Sequence, residues 1–414
     1  MPDALSESQR LLAQLRFPCG DVPEPGDIKN VAPGIHWLRM PLPFQLNHIN
    51  LWLIEEKDGW TIVDTGINSQ DTRTLWEKIF AEKLGGKPVV RVIGTHLHPD
   101  HIGLAGWLCE RWNAPLYMTL GEYMSAQAAR NDFVESEETR AEHVTRNGVP
   151  ADRIANFHRH KGGYAKGVVP LPTAYRRMIH AHPITIGGHR WDVIVGRGHA
   201  PEHASLWCPE LNVMIAGDQV LPKISTNVGV WPNEPLADAL TWFLDGFSRF
   251  RRLPADALVL PSHGFPFIGL HTRLDQLVSH HDARLNDMER AITARGPEGA
   301  TGWDMVPVLF PPPSRQQPDR LRLRRDAGAP PLPGDARARE ACRGRRRAPL
   351  RGPRRSEYPA PGRRFGRRGH GHRPDLTQAR FPNDARRPFR LCAAGRTATA
   401  PSPPPPPACI SRRS

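Results

Sequence analysis

Apolar positions divide the chain into short runs of strand length and longer runs of helical spacing. From about residue 28 to 56, IHWLRM and INLWLIEE stand between Pro and Gly, and WTIVDTG follows. These β-branched and aromatic runs between turn formers predict strands. A helix is expected over about 71–83, closed by Gly85 and Gly86. VVRVIGT, at 89–95, is an almost continuous apolar run, the pattern of a strand buried on both faces. Leu104, Trp107, Leu108 and Trp112 recur at spacings of three and four, which predicts a helix over 102–112. Residues 123–182 are polar and helix-like, and read as an insertion rather than core. Strands resume with WDVIVG, ASLWCPE and NVMIAGD, the last two joined in hairpin style at Glu210 and Leu211. A helix over about 237–251, the strand ALVLPSHG and a long helix over 270–294 complete the pattern. Two groups of strands, each interleaved with helices, imply two sheets packed face to face with helices outside, an α/β sandwich.

Charge changes this picture only at the C-terminus. The 414 residues carry a net charge of +14, but the segment from Pro311 onward holds 26 arginines, no lysine, 7 acidic residues and 20 of the 44 prolines. The rest of the chain is mildly acidic, at −5. A basic groove for nucleic acid is therefore not expected in the globular part. Residues 311–414 are expected to be a disordered basic tail. The six cysteines, Cys19, Cys109, Cys208, Cys342, Cys392 and Cys409, are scattered without a CxxC pair, which argues against a disulfide framework. No signal-peptide pattern and no membrane-length apolar run is present. A cytoplasmic protein without membrane partners is the expectation.

Chemistry concentrates in Thr95-His96-Leu97-His98-Pro99-Asp100-His101, directly after the buried strand. Three histidines and a carboxylate within six residues form a ligand cluster suited to zinc, manganese or iron(II). His96 and His98 point the same way in an extended segment. Asp100 and His101 open the next helix, where a carboxylate is favoured by the helix dipole. Three later fragments, Gly198-His199-Ala200-Pro201-Glu202-His203, Gly217-Asp218 and Ser262-His263-Gly264, each follow a predicted strand. Strand ends on one sheet edge converge, so these residues are expected in one cleft. Cys208 and Ser262 adjoin these motifs without a triad arrangement, and a packing or turn role is expected for both.

The HxHxDH run and its ordered partners, over about 35–284, resemble the metallo-β-lactamase superfamily, which includes glyoxalase II-like thioesterases, lactonases and ribonucleases. The resemblance implies an αββα sandwich with a substrate-covering insertion at about 120–182. It implies that His96, His98 and His199 bind one metal, that Asp100, His101 and His263 bind a second, and that Asp218 bridges both. Asp64, in VDTG, matches a position beside the cluster and is expected to support it, against the alternative of a turn carboxylate ending a strand. The cofactors expected are two divalent ions, zinc first, with iron or manganese as alternatives. Asp100 and Asp218 are the candidate catalytic carboxylates.

The expected reaction is attack of metal-bound hydroxide on an ester or thioester carbonyl of a small molecule. A phosphodiesterase or endoribonuclease of the same superfamily and a lactonase are the alternatives. His158, Arg159, His160, Lys161, Tyr164 and Lys166 in the insertion, and Lys223 after Asp218, are weighed as contacts for an anionic substrate group against solvated loop charges. His280 and His281 are expected to be helix-surface or packing residues. The expected organisation is an N-terminal arm at 1–27, a catalytic domain at 28–296, the start of a winged-helix-like domain at 297–310, and the tail; oligomeric state is left open. Arginine and proline without lysine is also what a GC-rich gene yields in a shifted frame, which suggests that the tail is a frameshift product. Sequencing through the codons for 310–315 tests this; an intact frame, with purified protein carrying the tail, would sink the idea.

Overall fold

The computed structural model describes residues 7–131, 136–154 and 163–311. The expectations for the tail and for His158, Arg159, His160 and Lys161 lie outside them. The first sheet contains β1 (Lys29–Ala32), β2 (Ile35–Pro41), β3 (His48–Glu56), β4 (Gly59–Val63), β5 (Val89–Ile93), β6 (Leu116–Met118) and β7 (Arg176–Arg177) in sequential order. It is antiparallel through β4 and parallel from β4 to β7. The second sheet runs β13-β12-β11-β10-β9-β8. Its strands are β8 (Pro183–Ile186), β9 (His189–Gly196), β10 (His203–Cys208), β11 (Val213–Gly217), β12 (Leu258–Pro261) and β13 (Phe267–Ile268).

Helices cover both outer faces. They are α1 (Glu7–Leu12), α2 (Gln70–Glu82), α3 (Pro99–Ile102), α4 (Ala105–Trp112), α5 (Leu120–Arg130), α6 (Glu137–Arg146), α7 (Ala151–Ile154), α8 (Gly163–Gly167), α9 (Ala239–Phe250), α10 (Leu270–Arg295) and α11 (Gly302–Leu309). None among the described residues is long and apolar enough to cross a membrane.

The period-two alternation of each strand sorts its side chains between two apolar layers. On β2 and β3, Ile35, Trp37, Trp52 and Ile54 face the second sheet and meet Trp191, Val193, Leu206 and Ile215. Leu38, Met40, Leu51 and Leu53 face outward onto Trp76, Ile79 and Phe80 of α2 and Leu104 and Leu108 beside and on α4. The outer face of the second sheet, with Ile194, Met214 and Val259, is covered by Phe243, Phe247 and Phe250 of α9 and Leu270, Leu274 and Leu277 of α10. The αββα sandwich expected from the sequence is the observed fold.

Four local features depart from or sharpen the expected pattern. The helix expected over 102–112 is interrupted at Leu104, whose φ of −107° and ψ of 10° leave the helical region and whose N–H donates to the Thr65 hydroxyl at 3.1 Å. The segment read as an insertion supplies Tyr123, Ala126, Val168 and Leu171 to the outer core, so its described parts are not merely peripheral. Arg91 interrupts the buried strand β5; its guanidinium lies 4.9 Å from the Tyr117 ring centroid and donates to the Thr185 carbonyl oxygen at 2.6 Å. At 302–309, where a further domain is expected to begin, α11 is capped at its N-terminus by a Thr301–Asp304 capping box, and the Trp303 N–H donates to the Asn147 carbonyl oxygen.

Asn50 ties the two sheets together near His263. Its side-chain amide donates to the carbonyls of Pro261 and Gly264, each at 2.9 Å, and its backbone N–H donates to Ser262 at 2.7 Å. The Asn50 side-chain oxygen accepts from Arg39 Nε at 3.1 Å. Asn50→Ala removes both side-chain amide bonds and leaves the Arg39 Nε without this partner, at a cost of roughly 1–3 kcal/mol. A lower urea midpoint is expected; an unchanged one would refute the tie.

Candidate metal centre

All seven histidines and aspartates singled out in the sequence meet at one edge of the sandwich. His96 follows β5, His199 follows β9, Asp218 follows β11 and His263 follows β12, so strand ends deliver them to a common place. Asp100 and His101 lie on the short helix α3. His96 Nε2 is 2.9 Å from His98 Nδ1 and 3.1 Å from His199 Nε2, and His199 Nε2 is 3.4 Å from Asp218 Oδ2. On the other side, Asp100 Oδ2 is 3.6 Å from His101 Nε2 and 3.5 Å from His263 Nε2. Asp218 stands between the groups, with Oδ2 3.5 Å from His101 Nε2 and Oδ1 3.4 Å from His263 Nε2.

These separations fit metal ligands. Nitrogen and oxygen atoms about 2.0–2.2 Å from a tetrahedral ion lie ~3.4 Å from one another. His101 Nε2 and Asp218 Oδ1 are buried without a hydrogen-bond partner, an arrangement that proteins ordinarily avoid. The outward nitrogens are anchored: His199 Nδ1 donates to the Asn227 carbonyl at 2.7 Å, and His263 Nδ1 to the His48 carbonyl at 2.8 Å. Both imidazoles therefore aim Nε2 inward, the nitrogen that a cation would take once it is free of a proton.

Asp64 proves to be a supporting carboxylate rather than a free turn residue. It is buried, with φ of 61°. Its Oδ1 accepts the Thr95 N–H at 2.8 Å, and its Oδ2 accepts from His101 Nδ1 at 2.7 Å and from the Thr95 hydroxyl at 2.9 Å. A non-glycine residue at such a φ is uncommon, and this bonding holds it there.

Two further residues escaped the sequence reading. His203, the second histidine of HAPEH, is fully buried and accepts the Asp218 N–H on Nε2 at 3.0 Å. Gly217, at φ 55°, makes room for that ring, because a Cβ there would come within 2.4 Å of His203 Nε2. Its sequence signal was available, since His203 sits at the start of a strand within a ligand motif. Glu122 carried no such signal. Its buried carboxylate accepts the N–H of Leu97 at 2.8 Å and of Glu202 at 2.6 Å, joining the two histidine loops. Tyr164 donates its hydroxyl to the Leu97 carbonyl at 2.5 Å, so the residue between His96 and His98 is held on both backbone groups.

Other sequence candidates fall elsewhere. Lys223 lines a cavity with Gln14, Thr272 and Arg273 that includes none of the seven. Cys208 packs in the inter-sheet core, and His281 has its ring 5.9 Å from Phe243. Lys166 is exposed, and its backbone carbonyl accepts from the Asn68 side-chain amide at 3.0 Å.

Electrostatics divides the seven side chains. Burial, reinforced by neighbouring imidazoles, keeps His96 well below the usual imidazole range, and burial together with His199 takes His98 to about 3. Burial would also lower His101 and His263, but carboxylates outweigh it: Asp100, Asp64 and Asp218 hold His101 well above its ordinary value, and Asp218 and Asp100 raise His263 to about 9. Without a cation at neutral pH, His101 and His263 therefore carry protons. An arriving cation must displace them. Calorimetric binding enthalpies for a divalent ion at pH 7 should accordingly vary with the buffer's ionisation enthalpy, and the release should shrink as pH rises through about 9, where His263 is already neutral. Identical enthalpies in all buffers would contradict this.

Comparison with known proteins agrees with the geometry. Residues 45–263 match the family model described as the metallo-beta-lactamase superfamily. A Bacillus subtilis protein described as a probable metallo-hydrolase, YqjP, is 23% identical over 282 residues, covering 66% of this chain and 84% of that protein. The crystal structure of a beta-lactamase domain protein from Burkholderia ambifaria is 44% identical, with a TM-score of 0.65, and covers 72% of this chain and 88% of that one. A metallo-beta-lactamase family protein from Thermus thermophilus is 28% identical, with a TM-score of 0.59, over 68% of this chain and 89% of that one. A family model that spans more than half of the chain, joined to a His/Asp cluster able to bind metal, shows that this protein belongs to the metallo-beta-lactamase superfamily and is a metal-dependent hydrolase.

Proposed function

We propose that the protein is a dinuclear hydrolase of small-molecule esters or thioesters, with zinc as the first candidate for both ions. The observation that carries the two-ion reading is the position of Asp218, whose two carboxylate oxygens lie 3.4–3.5 Å from nitrogens of both ligand groups. His96, His98 and His199 would hold one ion and Asp100, His101 and His263 the other. Two cations there would polarise a substrate carbonyl and bring the pKa of water toward ~7.

The chain's own side chains supply the remaining requirements. Asp218 and Asp100 are held below the ordinary carboxylate range, because His101 and His263 outweigh the upward effect of burial. Both are therefore ionised before cations arrive, cations would hold them so afterwards, and either is placed to orient or accept a proton beside the reacting centre. A nucleophilic Ser or Cys is not required, in keeping with the packed position of Cys208.

Support for an acyl substrate comes from a cavity of about 580 Å³ beside His199, lined by Ala200, Pro201, Trp231, Trp242, Arg197 and Arg249. Its size and aromatic wall suit a small organic group. The mild acidity of the chain before residue 311 weighs against a nucleic-acid partner for the catalytic domain. A cytoplasmic location fits the cysteines of the described residues, Cys19, Cys109 and Cys208, all of them free thiols.

Metal analysis should find two divalent ions in the catalytic cluster. On a panel of thioester, lactone and RNA substrates, the thioester should be cleaved, and His98→Ala should lower the rate by more than the ~10–100-fold that loss of an outer partner costs. Cleavage of RNA alone would replace this reading with the phosphodiesterase, cleavage of the lactone alone with a lactonase, and an active His98→Ala variant would remove the site altogether.

A further inference from the structure

The described residues hold another group of ligand-type side chains, at the opposite end of the second sheet from the catalytic edge: His189, Cys208 and Glu210. We propose that His189 Nδ1, Cys208 Sγ and a Glu210 carboxylate oxygen form a separate site for a divalent cation of the zinc class, which clips the start of β9 to the β10–β11 turn.

Strand geometry brings the three together and keeps them apart from the catalytic centre. β9 begins at His189 and ends at Gly196, three residues short of His199, and its eight residues at ~3.3 Å each separate the two places by roughly 25 Å. His189 has the strand parity of Trp191 and Val193, and Cys208 that of Ala204 and Leu206, so both belong to the face that lines the inter-sheet core. Glu210 lies in the turn that follows β10.

The distances are near those of a bound ion. Glu210 Oε2 is 3.1 Å from His189 Nδ1 and 3.8 Å from Cys208 Sγ, and all three ligand atoms lie within 4.8 Å of one another. Around a tetrahedral zinc with N and O at ~2.0–2.1 Å and S at ~2.3 Å, such atoms stand ~3.4–3.6 Å apart. Small side-chain rotations close the difference. Without a cation, the imidazole, the thiol and the Arg190 N–H, at 3.1 Å, all converge on this one carboxylate oxygen.

The donor set names the cation class. Thiolate with imidazole and carboxylate selects zinc or cobalt(II) over magnesium and calcium, which take oxygen ligands. Burial raises the Cys208 thiol, and a cation that binds sulfur displaces the thiol proton. Binding forms one metal–sulfur bond and sends that proton to solvent. The imidazole proton moves from Nδ1 to Nε2. Three protein ligands leave a fourth position for water, on the side of exposed Glu210.

The rival explanation is a plain imidazole–carboxylate hydrogen bond that fastens a hairpin, and it predicts no cation. Cobalt(II) separates the two, because the catalytic cluster contains only His and Asp and cannot give a thiolate-to-cobalt charge-transfer band. The purified full chain exchanged into cobalt should bind one equivalent beyond those in the catalytic cluster and show that band in the near ultraviolet. Cys208→Ser should lose both. His189→Gln and Glu210→Gln, which leave the buried thiol in place, should each weaken this site about tenfold or more. A wild-type protein without the band, a band that survives Cys208→Ser, or unchanged affinity in Glu210→Gln would each overturn the proposal.

Discussion

Concentrating ionisable groups where water is scarce is the constraint around which this molecule is arranged. His96 and His101 are fully buried and His199, Asp218 and His263 nearly so, at the edge of a core that is otherwise aliphatic and aromatic. An uncompensated carboxylate in such surroundings is costly, and so is an unpaired imidazole. Each is tolerable only if charge is balanced at short range. Charge in the site is therefore balanced collectively, with protonated His101 and His263 opposite Asp100 and Asp218, while the buried His101 Nε2 and Asp218 Oδ1 still lack hydrogen-bond partners.

Around that cluster lies a second tier that fixes direction rather than charge. Asp64 aims His101, His203 fixes the backbone of Asp218, Asn227 and His48 present their carbonyls to the outer nitrogens of His199 and His263, and Glu122 joins two loops. These partners come from both sheets and from α5. The sandwich thus holds separated stretches of chain stiffly enough for their side chains to meet within tenths of an ångström.

How much of this was legible in the sequence depends on whether the signal was local. The seven cluster residues stood out because ligand-type side chains followed apolar strands, and period-two alternation carried the sandwich with them. Leu104 breaks a well-patterned helix because its N–H is taken by the Thr65 hydroxyl, a partner 39 residues away that no periodicity encodes. Glu122 was invisible because its importance lies in two backbone N–H groups, 25 and 80 residues away. Lys223 looked close to the site because it follows Asp218 by five positions, yet the chain carries it to the cavity beside α10. Nearness in sequence was a poor guide wherever a turn intervened.

The bonds from Glu122 and Tyr164 to the two sides of Leu97 have a consequence for how such enzymes diversify. The stretch that carries Glu122 and Tyr164 also fastens the loop bearing the first two histidines. Exchanging that stretch for a differently shaped one, by evolution or in the laboratory, unfastens the loop unless both bonds are carried along. The shape of that stretch and the grip on the ion are then inherited as a package, and grafts that omit either bond will arrive without their anchor.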